Sequence, residues 1–275
     1  MKFEKWQGCG NDFVLIDRRE ADSIDGVDAK KICDRHFGIG ADGVIFILPS
    51  KVASARMRIF NADRSEAEMC GNGIRCFAKY LIKHGLVDKK IIPIETGAGV
   101  LTVELKGDDV TVDMGEPILE GDRIPVIGFD DRRIIDEPIA ISDGREYRMT
   151  CVSMGNPHCV VFLDSFEGFD QDRLENLGPR FENHEKFPRK INTEFVHAID
   201  RQTLRMRVWE RGAGNTLACG TGACATAVAG VLSGRSDRRV KVLLDGGELD
   251  LEWRESDGHV MMSGAARKVF EGMID

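Results

Sequence analysis

Two cysteine motifs carry the chemistry open to this chain: Cys70-Gly71-Asn72-Gly73 with Cys76 downstream, and Cys219-Gly220-Thr221-Gly222 with Cys224 downstream. Each reads as the start of a helix, where backbone N–H groups have no intrahelical partner and glycines strip away side chains so that an anion can approach. The positive helix end also favours thiolate, which makes a cysteine of ordinary pKa about 8.5 available as a base near neutral pH. One such cysteine suggests a nucleophile. Two suggest a different job, in which one thiolate takes a proton from a carbon, the opposite thiol returns one to the other face, and a stereocentre is inverted. A carboxylate held at the helix ends suits an amino-acid substrate, because charge on its oxygens grows as the α-carbon loses its proton and the N–H donors then stabilise the transition state. No lysine lies in a recognisable cofactor-binding motif, so this chemistry needs no pyridoxal cofactor.

The motifs are copies of one another. They lie 219 − 70 = 149 residues apart, and the same shift lays Arg56-Met57-Arg58-Ile59-Phe60-Asn61 over Arg205-Met206-Arg207-Val208-Trp209-Glu210. Gly10-Asn11-Asp12-Phe13 with Asp17 likewise resembles Gly155-Asn156-Pro157-His158 with Asp164, at offsets of 155 − 10 = 145 and 164 − 17 = 147. Such self-similarity marks an internal duplication. It predicts two similar lobes with half-sites that face each other: an N-terminal lobe over 1–116, ending at the turn residues Gly115-Glu116-Pro117, and a C-terminal lobe over 117–265. The closing segment 266–275 can return to the first lobe.

Alternating or apolar runs predict strands at Phe13 to Asp17, Val44 to Leu48, Ala55 to Phe60, Val100 to Leu105 and Val110 to Met114. The second half repeats them at Val160 to Leu163, Thr193 to Val196, Leu204 to Trp209, Val240 to Leu244, Glu248 to Trp253 and His259 to Met262. After Cys70, Ile74, Phe77, Ala78, Leu81 and Ile82 fall at helical spacing up to Gly85, an amphipathic helix. After Cys219, Ala223 to Leu232 is small and apolar all round, which predicts a helix enclosed by its own sheet. The charged run Asp170 to Glu185 reads as a solvated loop or helix face. Strands outnumber helices.

At 275 residues the chain can bury two cores of ordinary domain size. The formal charge, 38 − 46 = −8, and scattered basic residues argue against a nucleic-acid partner. The N-terminus has no signal-peptide apolar core and no apolar run nears membrane-spanning length, so a soluble cytoplasmic protein without membrane attachment is expected. Eight dilute cysteines read as reduced thiols. The Cys70/Cys76 and Cys219/Cys224 spacings are wider than those of zinc knuckles, and no metal is expected.

The whole chain resembles the diaminopimelate epimerase family. The resemblance is carried by Gly8-Cys9-Gly10-Asn11-Asp12-Phe13, the run from Asn61 to Cys76, Gly155-Asn156-Pro157-His158, and Glu210-Arg211-Gly212-Ala213-Gly214 through Gly222, and it continues to Phe270-Glu271-Gly272. It implies an α+β fold of two pseudo-symmetric lobes, each a mostly antiparallel sheet wrapped around a central helix, with the active site in the cleft between them. It also implies cofactor-independent interconversion of LL- and meso-diaminopimelate, in lysine and cell-wall precursor synthesis, by a homodimer. By the same resemblance Cys70 and Cys219 are the acid/base pair, Gly71, Asn72, Gly220 and Thr221 present donors to the reacting carboxylate, and Asn11, Asn61, Asn156, Asn192, Glu210 and Arg211 grip the remaining polar groups. His158 and Glu210 fall where the family tunes its thiols.

Three positions depart from the family pattern: Arg64 where glycine is common, Gly43 where some members carry glutamine, and Ala265 where proline is usual. A cation at Arg64 is expected to alter access or binding near Asn61, and Gly43 to remove one ligand contact. Cys33, Cys151 and Cys159 read as small buried hydrophobes, Cys76 and Cys224 as packing residues inside their helices, and Cys9 lies near the pocket without an assigned role. A thiol redox protein and a non-catalytic amino-acid binder remain alternatives to the epimerase. Thiols that flank one carbon can also meet in its absence, so an inactivating Cys70 to Cys219 disulfide is predicted.

Overall fold

The computed structural model describes residues 1–21, 23–142 and 144–274. The chain divides into two compact units, Met1–Asp113 with Ser263–Asp275, and Met114–Met262. Strands dominate both, as an α+β chain requires.

The first unit contains β1 (Lys2–Gly8), β2 (Asn11–Asp17), α1 (Ala29–Cys33), β3 (Gly43–Leu48), β4 (Ala55–Asn61), β5 (Glu66–Ala67), α2 (Gly71–Lys83), β6 (Ile91–Thr96), β7 (Gly99–Lys106) and β8 (Asp109–Asp113). The second contains β9 (Glu137–Ala140), β10 (Glu146–Ser153), β11 (Pro157–Phe162), α3 (Gln171–Glu182), β12 (Asn192–Asp200), β13 (Thr203–Glu210), β14 (Gly214–Thr216), α4 (Gly220–Leu232), β15 (Arg239–Leu244) and β16 (Gly247–Trp253). After these come β17 (Val260–Ala265) and β18 (Arg267–Met273), the latter paired antiparallel with β1.

The pairing pattern is the same twice. In the first unit β1–β2 is antiparallel, β2–β3 parallel, β3–β4 antiparallel, β4–β6 parallel and β6–β7 antiparallel. In the second, β10–β11, β11–β12, β12–β13, β13–β15 and β15–β16 repeat that alternation in order. Equivalent registers agree: Phe13 lies opposite Gly43 as His158 lies opposite Asn192. Each parallel step needs a crossover. The β4 to β6 crossover is α2, and the β13 to β15 crossover is α4.

Those two helices fill their units differently. On α2, Ile74, Cys76, Phe77, Ala78 and Leu81 are fully enclosed while Lys83 stays half in solvent. Burial of Phe77 alone contributes about 2–3 kcal/mol. On α4, Gly222 to Gly230 are all buried. Its small residues leave room for the turn that follows the helix, since a Cβ on Gly230 would lie 2.3 Å from Ser236 Oγ.

The run from Asp170 to Glu185 carries most of its charges on a solvated helix face, with Asp172, Glu175 and Glu185 exposed, while Glu182 and an apolar face are buried. It forms α3, capped by Asp170, whose side chain accepts from Arg173 N. Leu174, Leu177 and Phe181 enter an apolar core with Tyr147, Phe169 and Phe195. A Cβ on Gly178 would fall 2.3 Å from the Trp209 ring, so glycine lets α3 lie flat against β13. Apolar residues at a spacing of three and four were present among the charges and mark that buried face.

Candidate active site

Both cysteines are helix N-caps. Cys70 precedes α2 and Cys219 precedes α4, both in extended backbone, and each carbonyl accepts the first intrahelical bond, from Ile74 N and Ala223 N at 2.9 Å. Strand β5 or β14 and a short turn deliver each cysteine from the end of β4 or β13. The duplicated motif therefore places the thiols at equivalent points.

Around Cys70 the side chains form a hydrogen-bonded relay. Asn11 Nδ2 donates to Asp42 Oδ2 at 2.7 Å, which turns Asn11 Oδ1 toward Cys70 Sγ at 3.7 Å and Asn72 Nδ2 at 3.3 Å. Asn72 Oδ1 accepts from Arg75 at 2.9 Å, and the same guanidinium, fully buried, donates to Gly71 O at 3.1 Å and to Cys9 Sγ at 3.6 Å. Arg75 thus braces the first turn of α2 from behind. Arg35 holds Asp42 and Asp12, and Lys5 holds Asp12 at 2.8 Å. Burial pushes the Asp12 carboxyl up, but these two cations outweigh it and keep it below the usual carboxylate range.

Around Cys219 the groups are carboxylates and an imidazole. Its Sγ accepts from Gly222 N at 3.4 Å and lies 3.5 Å from Thr221 Oγ1. Glu210, at the end of β13, accepts from Thr216 Oγ1. His158 is wholly enclosed, with Nδ1 2.7 Å from Glu194 Oε1 and Nε2 3.0 Å from Asn156 Oδ1.

Burial pushes the Cys219 thiol well above the ordinary cysteine range, Glu210 and Glu194 push it further, and the bonds from Thr221 and Gly222 only partly offset them. The positive end of α4, which favours thiolate, is outweighed here by desolvation beside two carboxylates, and a thiol opposite a thiolate is the arrangement that the sequence pattern expects. Cys219 rests as a thiol, the form of a proton donor. Burial likewise raises Glu210, against opposing effects from Thr216, His158 and Cys219.

A family model for diaminopimelate epimerase matches residues 3–120 and 150–269. Diaminopimelate epimerases from Acetivibrio thermocellus and Agathobacter rectalis are 51% and 53% identical to it, each alignment covering 100% of this chain and 99% of the relative. The chain belongs to the diaminopimelate epimerase family. Solved structures extend the fold beyond the epimerase family: a phenazine biosynthesis protein of the PhzF family from Bacillus anthracis (TM-score 0.69, 17% identity, 100% of this chain and 99% of that one) and a hydroxyproline epimerase from Agrobacterium vitis (0.70, 15%, 100% and 90%). Among the described residues no helix is long and apolar enough to cross a membrane, and no group of three or more His, Cys, Asp or Glu gathers as a metal set.

The remaining residues singled out for this epimerase family divide by unit. Gly71 and Asn72 form the first turn of α2, Asn11 opens β2, and Asn61 ends β4 with its Nδ2 on Ser65 Oγ at 2.9 Å. Gly220 and Thr221 open α4, Asn156 precedes β11, and Asn192 opens β12. The Asn192 amide is engaged at both ends, donating to Pro157 O at 2.8 Å and accepting from Arg211 N at 2.9 Å, so it fixes the two loops that carry Asn156 and Arg211. Arg211 is exposed and donates to Arg189 O at 3.1 Å.

Arg64 has φ +74°, the left-handed region where glycine is at ease, which explains the glycine common there. Its guanidinium is engaged with Asp28 at 2.6 Å. Gly43 is also required by packing, since a Cβ would lie 2.9 Å from Phe60 O. Sequence reasoning passed over Asp42, Arg75, Glu182 and Glu194. Arg75 lay inside the run from Asn61 to Cys76, and Glu194 inside the strand expected at Thr193 to Val196. Glu182, which accepts from Trp209 Nε1 at 2.8 Å and Gly212 N at 3.1 Å, lay in a run whose charges looked solvated.

Proposed function

We propose that the chain interconverts LL- and meso-diaminopimelate, with Cys70 and Cys219 as the two acid/base residues acting on opposite faces of one α-carbon. The observation that carries this reading is the paired placement of Cys70 and Cys219 as N-caps of equivalent helices in duplicated units. The amides of Gly71, Asn72, Gly220 and Thr221 stand at helix starts where N–H groups favour a carboxylate, and stabilise it most as its charge grows in the transition state. Cys219, held as a thiol, supplies a proton to the carbanion, and Cys70 removes the original one. In the reverse direction the roles exchange. His158 and Glu210 set the proton affinity at Cys219, while Asn11, Asn61, Asn156, Asn192, Glu210 and Arg211 hold the amino and distal groups. The reading needs no cofactor, and it includes a cytoplasmic homodimer serving lysine synthesis.

Incubation of reduced protein with LL-diaminopimelate in heavy water tests it. Deuterium is expected at the α-carbon together with the meso isomer, and Cys70→Ser and Cys219→Ser are each expected to lose about 10²–10⁴-fold in rate. Folded, reduced protein that exchanges nothing would refute the activity. Retained activity in either serine variant would refute the two-thiol assignment. Light scattering on the eluted protein tests the dimer.

A further inference from the structure

The two half-sites are built on one plan, and among their differences is one buried pair of side chains. The 149-residue shift sets Ile45 in β3 against Glu194 in β12 (194 − 45 = 149), and the strand registers set Phe13 in β2 against His158 in β11. The first unit has two hydrocarbon side chains there. The second has an imidazole and a carboxylate, both without solvent exposure.

A buried carboxylate is costly unless something holds it. Glu194 Oε1 is held by His158 Nδ1 at 2.7 Å, while Oε2 has no hydrogen-bond partner. The carboxylate also sits against the start of α4, where a Cβ on Gly222 would lie 2.6 Å from Oε1, and a helix N-terminus favours negative charge. In the first unit the equivalent Cβ, on Gly73, would come closest to Ile45 Cδ1 at 3.1 Å and Ile59 Cδ1 at 3.3 Å. On its far side the imidazole presents Nε2 to Asn156 Oδ1 at 3.0 Å, which leaves the Asn156 NH₂ turned away from the ring. Carboxylate, ring and amide thus form one line from the helix start to a residue at the mouth of β11.

We infer that Glu194 is a positioning residue of the second half-site: from the space that Gly222 leaves open beside Cys219, it holds His158 and through it the Asn156 amide. Glu194 does not touch substrate. Its negative charge faces Cys219 together with Glu210 from β13, while Thr221 and the Gly222 amide face the thiol from α4. His158 stands by Glu210 and Glu194 from β11, while the charge of Glu194 also reaches Cys159 on the other face of that strand. The carboxylate therefore favours the protonated thiol, and its removal frees the proton more readily.

Two substitutions separate positioning from packing. Glu194→Ile installs the residue that the first unit carries at the equivalent place, removing both charge and acceptor. Glu194→Gln keeps an oxygen for His158 and removes only the charge. The rate of Cys219 alkylation by iodoacetamide, followed by peptide mass spectrometry against pH, is read without substrate, and its midpoint is expected to fall by about one pH unit in both variants. In turnover, Glu194→Ile is expected to lose about tenfold or more in kcat/KM, the consequence of an unpaired buried imidazole, and Glu194→Gln to recover most of it. A folded Glu194→Ile with unchanged kcat/KM overturns the inference. So does an unmoved Cys219 midpoint in Glu194→Gln, which also decides the matter if the isoleucine variant does not fold. The turnover arm rests on the epimerase reading. Wild-type protein that exchanged no deuterium would sink that reading alone and leave the alkylation result to judge Glu194.

Discussion

Gly222→Ala is the sharpest test of the packing behind Cys219. Alanine inside a helix is ordinarily worth about 1 kcal/mol more than glycine, so a surface view expects stabilisation. The structure expects the reverse. The new Cβ would stand 2.6 Å from Glu194 Oε1, 3.2 Å from its Cδ and 3.3 Å from Cys219 Cβ. The carboxylate has little room to swing aside, because it is fully enclosed and held by His158 at 2.7 Å. Overpacking of this kind costs about 1–3 kcal/mol, so after the helix gain of about 1 kcal/mol a net loss of up to about 2 kcal/mol remains. Gly73→Ala is the matched control: its Cβ meets the ends of two isoleucine side chains at 3.1 and 3.3 Å, which can yield, and its effect is expected within about 1 kcal/mol of zero. Urea unfolding of both variants under reductant measures the difference. Glu194→Ala removes the obstacle, so the double variant should show a favourable coupling of about 1 kcal/mol in a mutant cycle. Gly222→Ala that equals or exceeds Gly73→Ala in stability, with full activity, would refute the reasoning.

Arg75→Met should cost a few kcal/mol in unfolding free energy and raise KM, because Asn72 Oδ1 and Gly71 O lose a buried donor at about 1–3 kcal/mol each. Denaturation and steady-state kinetics check it, and a neutral substitution would show that the bracing is idle. Arg64→Gly should leave KM for diaminopimelate unchanged, since the guanidinium is engaged with Asp28 and the glycine relieves a positive φ; an altered KM would restore a role in binding. Alkaline stability should decline early: burial pushes Cys33 up to about 11 and Cys76 up to about 12. The folded state keeps protons that the unfolded chain releases above about pH 8.5, so their contribution is complete below that pH and is lost as pH rises through 11 to 12. Urea midpoints at pH 8 and pH 10 that coincide would count against this burial.

The Cys-Gly-x-Gly motifs were legible because a helix start is a local event: a cap, glycines, and apolar spacing behind them. The strands with alternating side chains, such as Ala55–Asn61 and Thr203–Glu210, announced themselves by the same local rule. Strands Lys2–Gly8, Ile91–Thr96 and Glu146–Ser153 did not, because charges, a proline or an unbroken buried run mask the period of two. Among site residues, the motif types were readable and their partners were not. Nothing local says that Asn192 spends both ends of its amide on Pro157 and Arg211, or that Arg75 turns inward to Asn72.

The sequence by itself determined the duplication, the two cysteines and their helix starts, since residue type and spacing along the chain are enough to cap a helix and repeat a unit. Only the tertiary structure decided the proton on Cys219. A thiol's affinity for a proton is summed over every charge and every lost water around it, and those around Cys219 come from β12 and β13 as well as its own helix. Strand pairing gathers Glu194 and Glu210 beside that sulfur, and the glycine at 222 lets the first of them in.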